Sequence, residues 1–142
     1  MKKDNKGFSL VELIIVIAIM AVLIGVLAPT FIKYVERSRR SKDIQNAAEI
    51  QTAIQADMAD GEKDSAAGYD YTVGQSTPAA FTGASTIPAS EIPKISASIA
   101  SGQDFKVTWD PVDGTCHVYA AGYDLTSDAD AQIYKDAKAA KP

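Results

Sequence analysis

Cysteine, histidine and tryptophan each occur once in this chain, and the shortages narrow its chemistry before any motif is sought. With Cys116 alone, no internal disulfide forms. The only histidine, His117, is its immediate neighbour, and adjacent residues of a strand point to opposite faces. They do not make a nucleophile–base pair in that conformation; Cys116 is expected in a core and His117 at the surface. A phosphate loop, cysteine pairs at metal spacing and HExxH are all missing from the sequence. Asp124, Asp128 and Asp130 lack the glycine and glutamate of a calcium loop, so they read as solvated acids near a helix start. No catalytic, cofactor-binding or metal residue is expected.

Basic residues are scarce in the C-terminal part. Residues 59–142 carry 6 basic and 12 acidic side chains, against 8 and 6 in residues 1–58. Phosphate binding needs a basic surface, so no specific nucleic-acid partner is expected of that acidic part.

Charge of either sign vanishes between Glu12 and Lys33, and around this gap the chain is organised. The twenty residues from Leu13 to Ile32 span about 30 Å as a helix, the thickness of a bilayer's hydrocarbon core. Lipid offers backbone amides no partner, so even Ile14-Ile15-Val16-Ile17 is forced to be helical. Glu12 at the head of the run is the anomaly. A carboxylate within a membrane helix costs roughly 2.5–3.5 kcal/mol on insertion scales, and less near an end, so it calls for a partner.

The preceding residues are Lys2-Lys3-Asp4-Asn5-Lys6-Gly7, followed by Phe8-Ser9-Leu10-Val11-Glu12. A short basic leader, a glycine, a phenylalanine, small or apolar residues and a glutamate opening an apolar helix resemble the N-terminus of type IV prepilins and their pseudopilin relatives. The resemblance covers about the first sixty residues and fades beyond them. A secretory signal peptide explains the stretch poorly: the run is too long, Glu12 interrupts its start, and Pro29 directly follows Val26-Leu27-Ala28. A plain single-span anchor explains the length but gives no reason for Gly7-Phe8 or Glu12. The lack of a second cysteine departs from the many pilins that pin a C-terminal loop with a disulfide. It is closer to pilins without one, as Gram-positive type IV major pilins often are.

The resemblance implies a processing site at Gly7 and Phe8, with cleavage between them and N-methylation of Phe8. Assembly would run through Phe8 and Glu12. It also implies the partners: other copies of the chain, a prepilin peptidase and methyltransferase, an assembly ATPase with its membrane platform, and membrane lipid. The precursor is then a single-pass protein of the cytoplasmic membrane, and the mature chain part of an extracellular filament. Five basic residues follow the run (Lys33, Arg37, Arg39, Arg40, Lys42) against three leader lysines, so the charge rule does not by itself put the leader inside. That orientation comes from the resemblance. A major pseudopilin of type II secretion or DNA uptake is the nearest alternative, and a membrane-tethered binding or enzymatic domain is the alternative of a different class.

Four segments are expected: a leader at 1–7, a membrane and assembly helix at 8–32, an amphipathic stem at 33–60 and a globular head at 61–142. Gly25 and Pro29 mark a weak point in the helix, because Pro29 lacks the N–H for the Gly25 carbonyl and its ring crowds that group. In the stem, Ile44, Ala47, Ala48, Gln51, Ile54 and Met58 form a narrow apolar stripe broken by one amide, and Glu36 with Arg39 and Arg40 gives exposed ion pairs. The helix is expected to stop near Ala59, before Asp60-Gly61. Gly68 to Ser90 reads as an extended loop with a short strand at Tyr71–Val73. Ser90 then caps a short helix over Glu91–Ser101, with Ile92, Ile95 and Ile99 on one face. Phe105–Trp109 alternates as a strand, Asp110–Gly114 is a turn and Cys116–Ala120 returns. Ser127 precedes a last helix with acids early and lysines late, the order a helix dipole favours. The fold class expected is α+β, a long N-terminal helix packed on a small antiparallel sheet.

Overall fold

The computed structural model describes residues 7–60 and 78–138. Two compact units divide the chain, Met1–Val35 and Glu36–Pro142. One helix, α1, runs over Leu10–Ala59 and supplies both the apolar run of the first unit and the stem of the second. It continues through Gly25 and Pro29, and it ends at the expected residue, with Asp60 donating its N–H back to the Ala56 carbonyl.

In the second unit a four-stranded antiparallel sheet runs in the order β1-β2-β3-β4. Its strands are β1 (Ala79–Ala80), β2 (Lys106–Asp110), β3 (Thr115–Ala120) and β4 (Tyr123–Asp124). The central pair is the hairpin read from the sequence. Val107 faces Val118 and Trp109 faces Cys116, so the alternation turns Val107, Cys116, Val118 and Ala120 into the core. β3 and β4 meet through two residues, Ala121 and Gly122, with φ of 53° and 82°. Positive φ at both positions is the turn whose twist matches the strands it joins. Helix α2 (Asp128–Asp136) follows.

Several expectations need correction. Glu91–Ser101 is not an α-helix: a 3₁₀ turn over Ala89–Glu91 is followed by irregular chain, and Lys94 bridges to Asp104. The reason lies in where the amides go. The N–H groups of Ser96, Ala97 and Ser98 are taken by carboxylates of α1, and that of Ile95 by the Gln103 carbonyl, so none is left to build helical turns. The short strands β1 and β4 escape a periodicity reading, since two residues carry no period. Ser127 does hold the N-cap position of α2, yet its side chain makes no capping bond. The expected strand at Tyr71–Val73 lies outside the described residues, as do Gly61 and Lys141.

The stem stripe is also rotated. The buried row of α1 is Arg40, Asp43, Ala47, Ile50, Ala53, Ile54 and Asp57, whereas Ala48 is exposed and Ile44, Gln51 and Met58 are only partly covered. Its inner part packs with Phe81, Ile95, Phe105, Val107, Val118, Leu125 and Tyr134 in one core. Both ends of the row are charged.

Candidate processing and assembly site

Gly7, Phe8 and Ser9 precede the helix and are exposed, Phe8 at 89%. A Cβ built on Gly7 meets nothing within 4 Å. The helix begins at Leu10 because Ser9 caps it. Its Oγ accepts the Val11 N–H at 3.3 Å, and its carbonyl accepts the Leu13 N–H at 3.2 Å. Glu12 reaches back, its Oε2 accepting the Ser9 N–H at 2.8 Å. Ser-x-x-Glu is a capping box, in which two orphan donors of a helix start are satisfied reciprocally. The partner sought for Glu12 is thus present within its own chain as a backbone amide, and the signal was legible in Ser9-Leu10-Val11-Glu12.

Gly7, Phe8 and Glu12 therefore share one short segment. Gly25 and Pro29 lie apart from them, inside α1, with open space around a Cβ at Gly25. The large apolar side chains from Leu10 to Ile32 are all exposed. By length and composition this stretch is apolar enough to cross a membrane, and none of its apolar window is buried within the chain.

Past Val35 the stem carries a different chemistry. Glu36 Oε1 accepts the Ser98 N–H and hydroxyl, both at 2.9 Å, and the Arg40 Nε–H at 3.2 Å. Burial opposes ionisation of Glu36, but the hydrogen bonds from Ser98 and Arg40 outweigh it and hold the carboxyl below its usual range. Arg40 is not the exposed partner expected of it. It is buried, donates to the Tyr134 carbonyl at 2.6 Å and lies 5.7 Å from the centre of that ring. Asp43 is fully buried and accepts from Ser96 N–H (2.6 Å), Ala97 N–H (2.9 Å) and the Tyr134 hydroxyl (2.8 Å). Burial and then the Asp43 carboxylate push the Tyr134 phenol well above its ordinary range. Further along, the Gln51 amide donates to the Cys116 carbonyl at 2.8 Å, and Asp57 accepts the Ser85 N–H at 3.0 Å together with the Ser85 hydroxyl. Hydrophobicity patterns treat such residues as surface, which is why the sequence reading left Arg40, Asp43 and Asp57 outside the buried face.

Cys116 is buried and His117 is partly exposed, as expected. Burial, helped by the charge of Asp124, pushes the Cys116 thiol up to about 12. Asp124 is less solvated than the sequence suggested: it accepts from Thr126 N–H at 2.9 Å and from the Thr126 hydroxyl at 2.5 Å, and it sits 2.8 Å from His117 Nδ1. The acids of the β4–α2 corner organise a turn. Among the described residues no group of His, Cys, Asp and Glu is arranged to hold a metal ion.

The chain matches the prokaryotic N-terminal methylation motif over residues 2–28. It is 33% identical over 93 residues to a type IV major fimbrial protein FimA of Dichelobacter nodosus, covering 58% of this chain and 60% of that one. It is 43% identical over 61 residues to the prepilin peptidase-dependent protein A of Clostridium perfringens (42% and 43% of the two chains). With the type IV major pilin protein PilA of Myxococcus xanthus the figure is 43% over 49 residues (34% and 22%). The chain thus spans less than two thirds of the length of these relatives. No solved structure matches. The matched motif includes the capped, charge-free helix start, and the chain is similar to type IV fimbrial and pilin proteins over part of its length.

Proposed function

We infer that the chain is a structural subunit of a type IV pilus. The observation that carries this reading is the exposed charge-free run of α1, which follows exposed Gly7 and Phe8 and leads directly into a folded α+β unit. So much uncovered apolar surface is stable only in lipid or against other apolar helices. A subunit that waits in the membrane and then packs its helix among copies of itself meets both conditions.

In this reading residues 1–7 are a leader removed by a prepilin peptidase, and Phe8 becomes the N-methylated terminus. Residues 8–32 form the membrane and assembly helix, 33–60 the stem and 61–142 the head. A cytoplasmic ATPase and a membrane platform drive the transfer from lipid to filament, and the chain itself performs no catalysis. The test is electron microscopy of the producing cells with and without the gene, joined to N-terminal mass analysis of the mature chain. Surface filaments that depend on the chain, and a mature start at N-methylated Phe8, support the reading. A mature N-terminus at Met1, or filaments unaffected by its loss, overturns it. Dependence of protein secretion or DNA uptake on the chain, without surface filaments, assigns it to the pseudopilins instead.

A further inference from the structure

Buried Tyr134 ties α2 to the stem through Asp43 and Arg40. One turn before Arg40, Arg37 then meets the last turn of α2, its Nη2 3.5 Å from Asp136 Oδ1. Arg37, Ser41, Gln132, Lys135 and Asp136 line a recess of about 280 Å³. The spacing of three and four residues puts Arg37 and Ser41 on one face of α1, and Gln132, Lys135 and Asp136 on one face of α2. Donor capacity there is in surplus: a guanidinium carries five N–H groups and an ammonium three. The Asp136 contact is longer than a good hydrogen bond, and Lys135 Nζ lies 3.5 Å from Gln132 Oε1. Arg37 and Asp136 are 68% and 65% exposed, where an ion pair contributes little and is readily exchanged. The other stem arginines are placed differently. Arg40 is buried on Tyr134, and Arg39, about 200° around the helix from Arg37, lies 4.0 Å from Glu36.

Arg37 follows Ile32, the last residue of the charge-free run, by five residues of α1, a rise of about 7.5 Å. The headgroup layer on each side of a bilayer's hydrocarbon core is about 5–8 Å thick. With the run filling the core, Arg37 stands at the level of the lipid phosphates. We propose that the recess between α1 and α2 binds the phosphate of an anionic phospholipid, Arg37 and Lys135 supplying the charge and Ser41 and Gln132 the further hydrogen bonds. A phosphodiester presents two unesterified oxygens and one negative charge, which a planar guanidinium takes in bidentate fashion. Asp136 competes with that phosphate for Arg37. Loss of either cation therefore weakens the site, whereas loss of Asp136 strengthens it. A lipid phosphate has the advantage over a soluble one, because the membrane helix holds the recess where lipid phosphates are concentrated. The inference goes beyond the pilus reading and takes from it only that α1 spans a bilayer.

The experiment reconstitutes the full-length chain into phosphatidylcholine vesicles with a trace of spin-labelled phosphatidylglycerol or spin-labelled phosphatidylcholine. Electron spin resonance reads the motionally restricted fraction of each label. With one net positive charge in the recess, the wild type is expected to prefer the phosphatidylglycerol label about five-fold. Arg37→Gln and Lys135→Gln each abolish the preference, and Asp136→Asn raises it about five-fold further, a gain that misfolding does not produce. Two controls change charge by the same amount outside the recess: Arg39→Gln at the same height on α1, and Asp113→Asn in the β2–β3 turn. Both are expected to keep the wild-type preference. Equal losses from Arg39→Gln and Arg37→Gln, or no gain from Asp136→Asn, overturn the proposal in favour of a diffuse basic collar. Displacement of the phosphatidylglycerol label by millimolar inorganic phosphate overturns the assignment to lipid, and resistance to it supports that assignment. A chain that restricts neither label is not in the bilayer, and the membrane reading falls with this inference. The expected preferences in a chain that forms no surface filaments uphold the inference while the pilus reading falls.

Discussion

Removing the Asp43 carboxylate is the sharpest perturbation of the second unit. Asp43 is fully buried and accepts from Ser96 N–H, Ala97 N–H and the Tyr134 hydroxyl, tying the 94–104 loop and α2 to the stem. In Asp43→Ala the Ser96 amide, only half-buried, recovers water, but Ala97 and Tyr134 are themselves fully buried and stay dry. Two orphaned donors at about 1–3 kcal/mol each bracket the loss, giving about 4 kcal/mol. Relief of the buried charge offsets part of it, while the cavity adds a little. Against a typical domain stability of about 5–15 kcal/mol that is a large fraction. Trp109, the only tryptophan, lies half-buried in β2 and reports on this unit, so urea unfolding of the detergent-solubilised chain can be followed by its fluorescence. Asp43→Asn keeps one acceptor oxygen and should lose roughly half as much as alanine. A loss below about 1 kcal/mol for Asp43→Ala refutes the reasoning, because it means water or a neighbour replaces the carboxylate without cost.

The carboxyl of Glu36 is held below its ordinary value of 4.5, so its contribution is present above that value and lost as pH falls through the lower folded value. Glu36→Gln should flatten the acid limb of the stability profile, and an unchanged limb counts against the Ser98 and Arg40 bonds. For the Cys116 thiol, raised from 9.0 to about 12, stability is present below pH 9 and declines between those values. The folded chain should therefore resist maleimide at pH 8 and react in urea, whereas equal rates refute its burial. Pro29→Ala restores a backbone bond to Gly25 and removes a ring clash worth about 3 kcal/mol, so amide exchange across 25–29 should slow in micelles. Wild-type exchange there already as slow as in the flanking turns defeats the weak-point argument.

What the sequence made legible follows from how locally each feature is encoded. The charge-free run, the end of α1 at Ala59 and the β2–β3 hairpin rest on length, a glycine stop and strict alternation, all of which a short window contains. The polar tethers are written across distances of 28 to 94 residues, from Asp57 to Ser85 and from Arg40 to Tyr134. No window spans them. The same tethers explain the failed helix at Glu91–Ser101: its isoleucines carry a helical period, but the amides had better acceptors on α1. The capping box is local too, but the charge of Glu12 points to a cationic partner, and the partner is a peptide N–H.

The buried face of the stem shows why an apolar pattern was a poor guide to it. Arg40, Asp43, Ala47, Ile50, Ile54 and Asp57 follow one another at alternating steps of three and four, a regular helical face whose middle is apolar and whose ends are charged. The apolar middle is small, two alanines and two isoleucines with Ala53 included, and apolar contact alone is tolerant of sliding along a helix. Glu36, Asp43 and Asp57 each accept from a particular loop amide, at Ser98, Ala97 with Ser96, and Ser85. A shift of the head by one helical turn would leave buried carboxylates and amides unpaired, a cost that grows with every tether. The apolar residues hold the head on the stem, and the acids set its register.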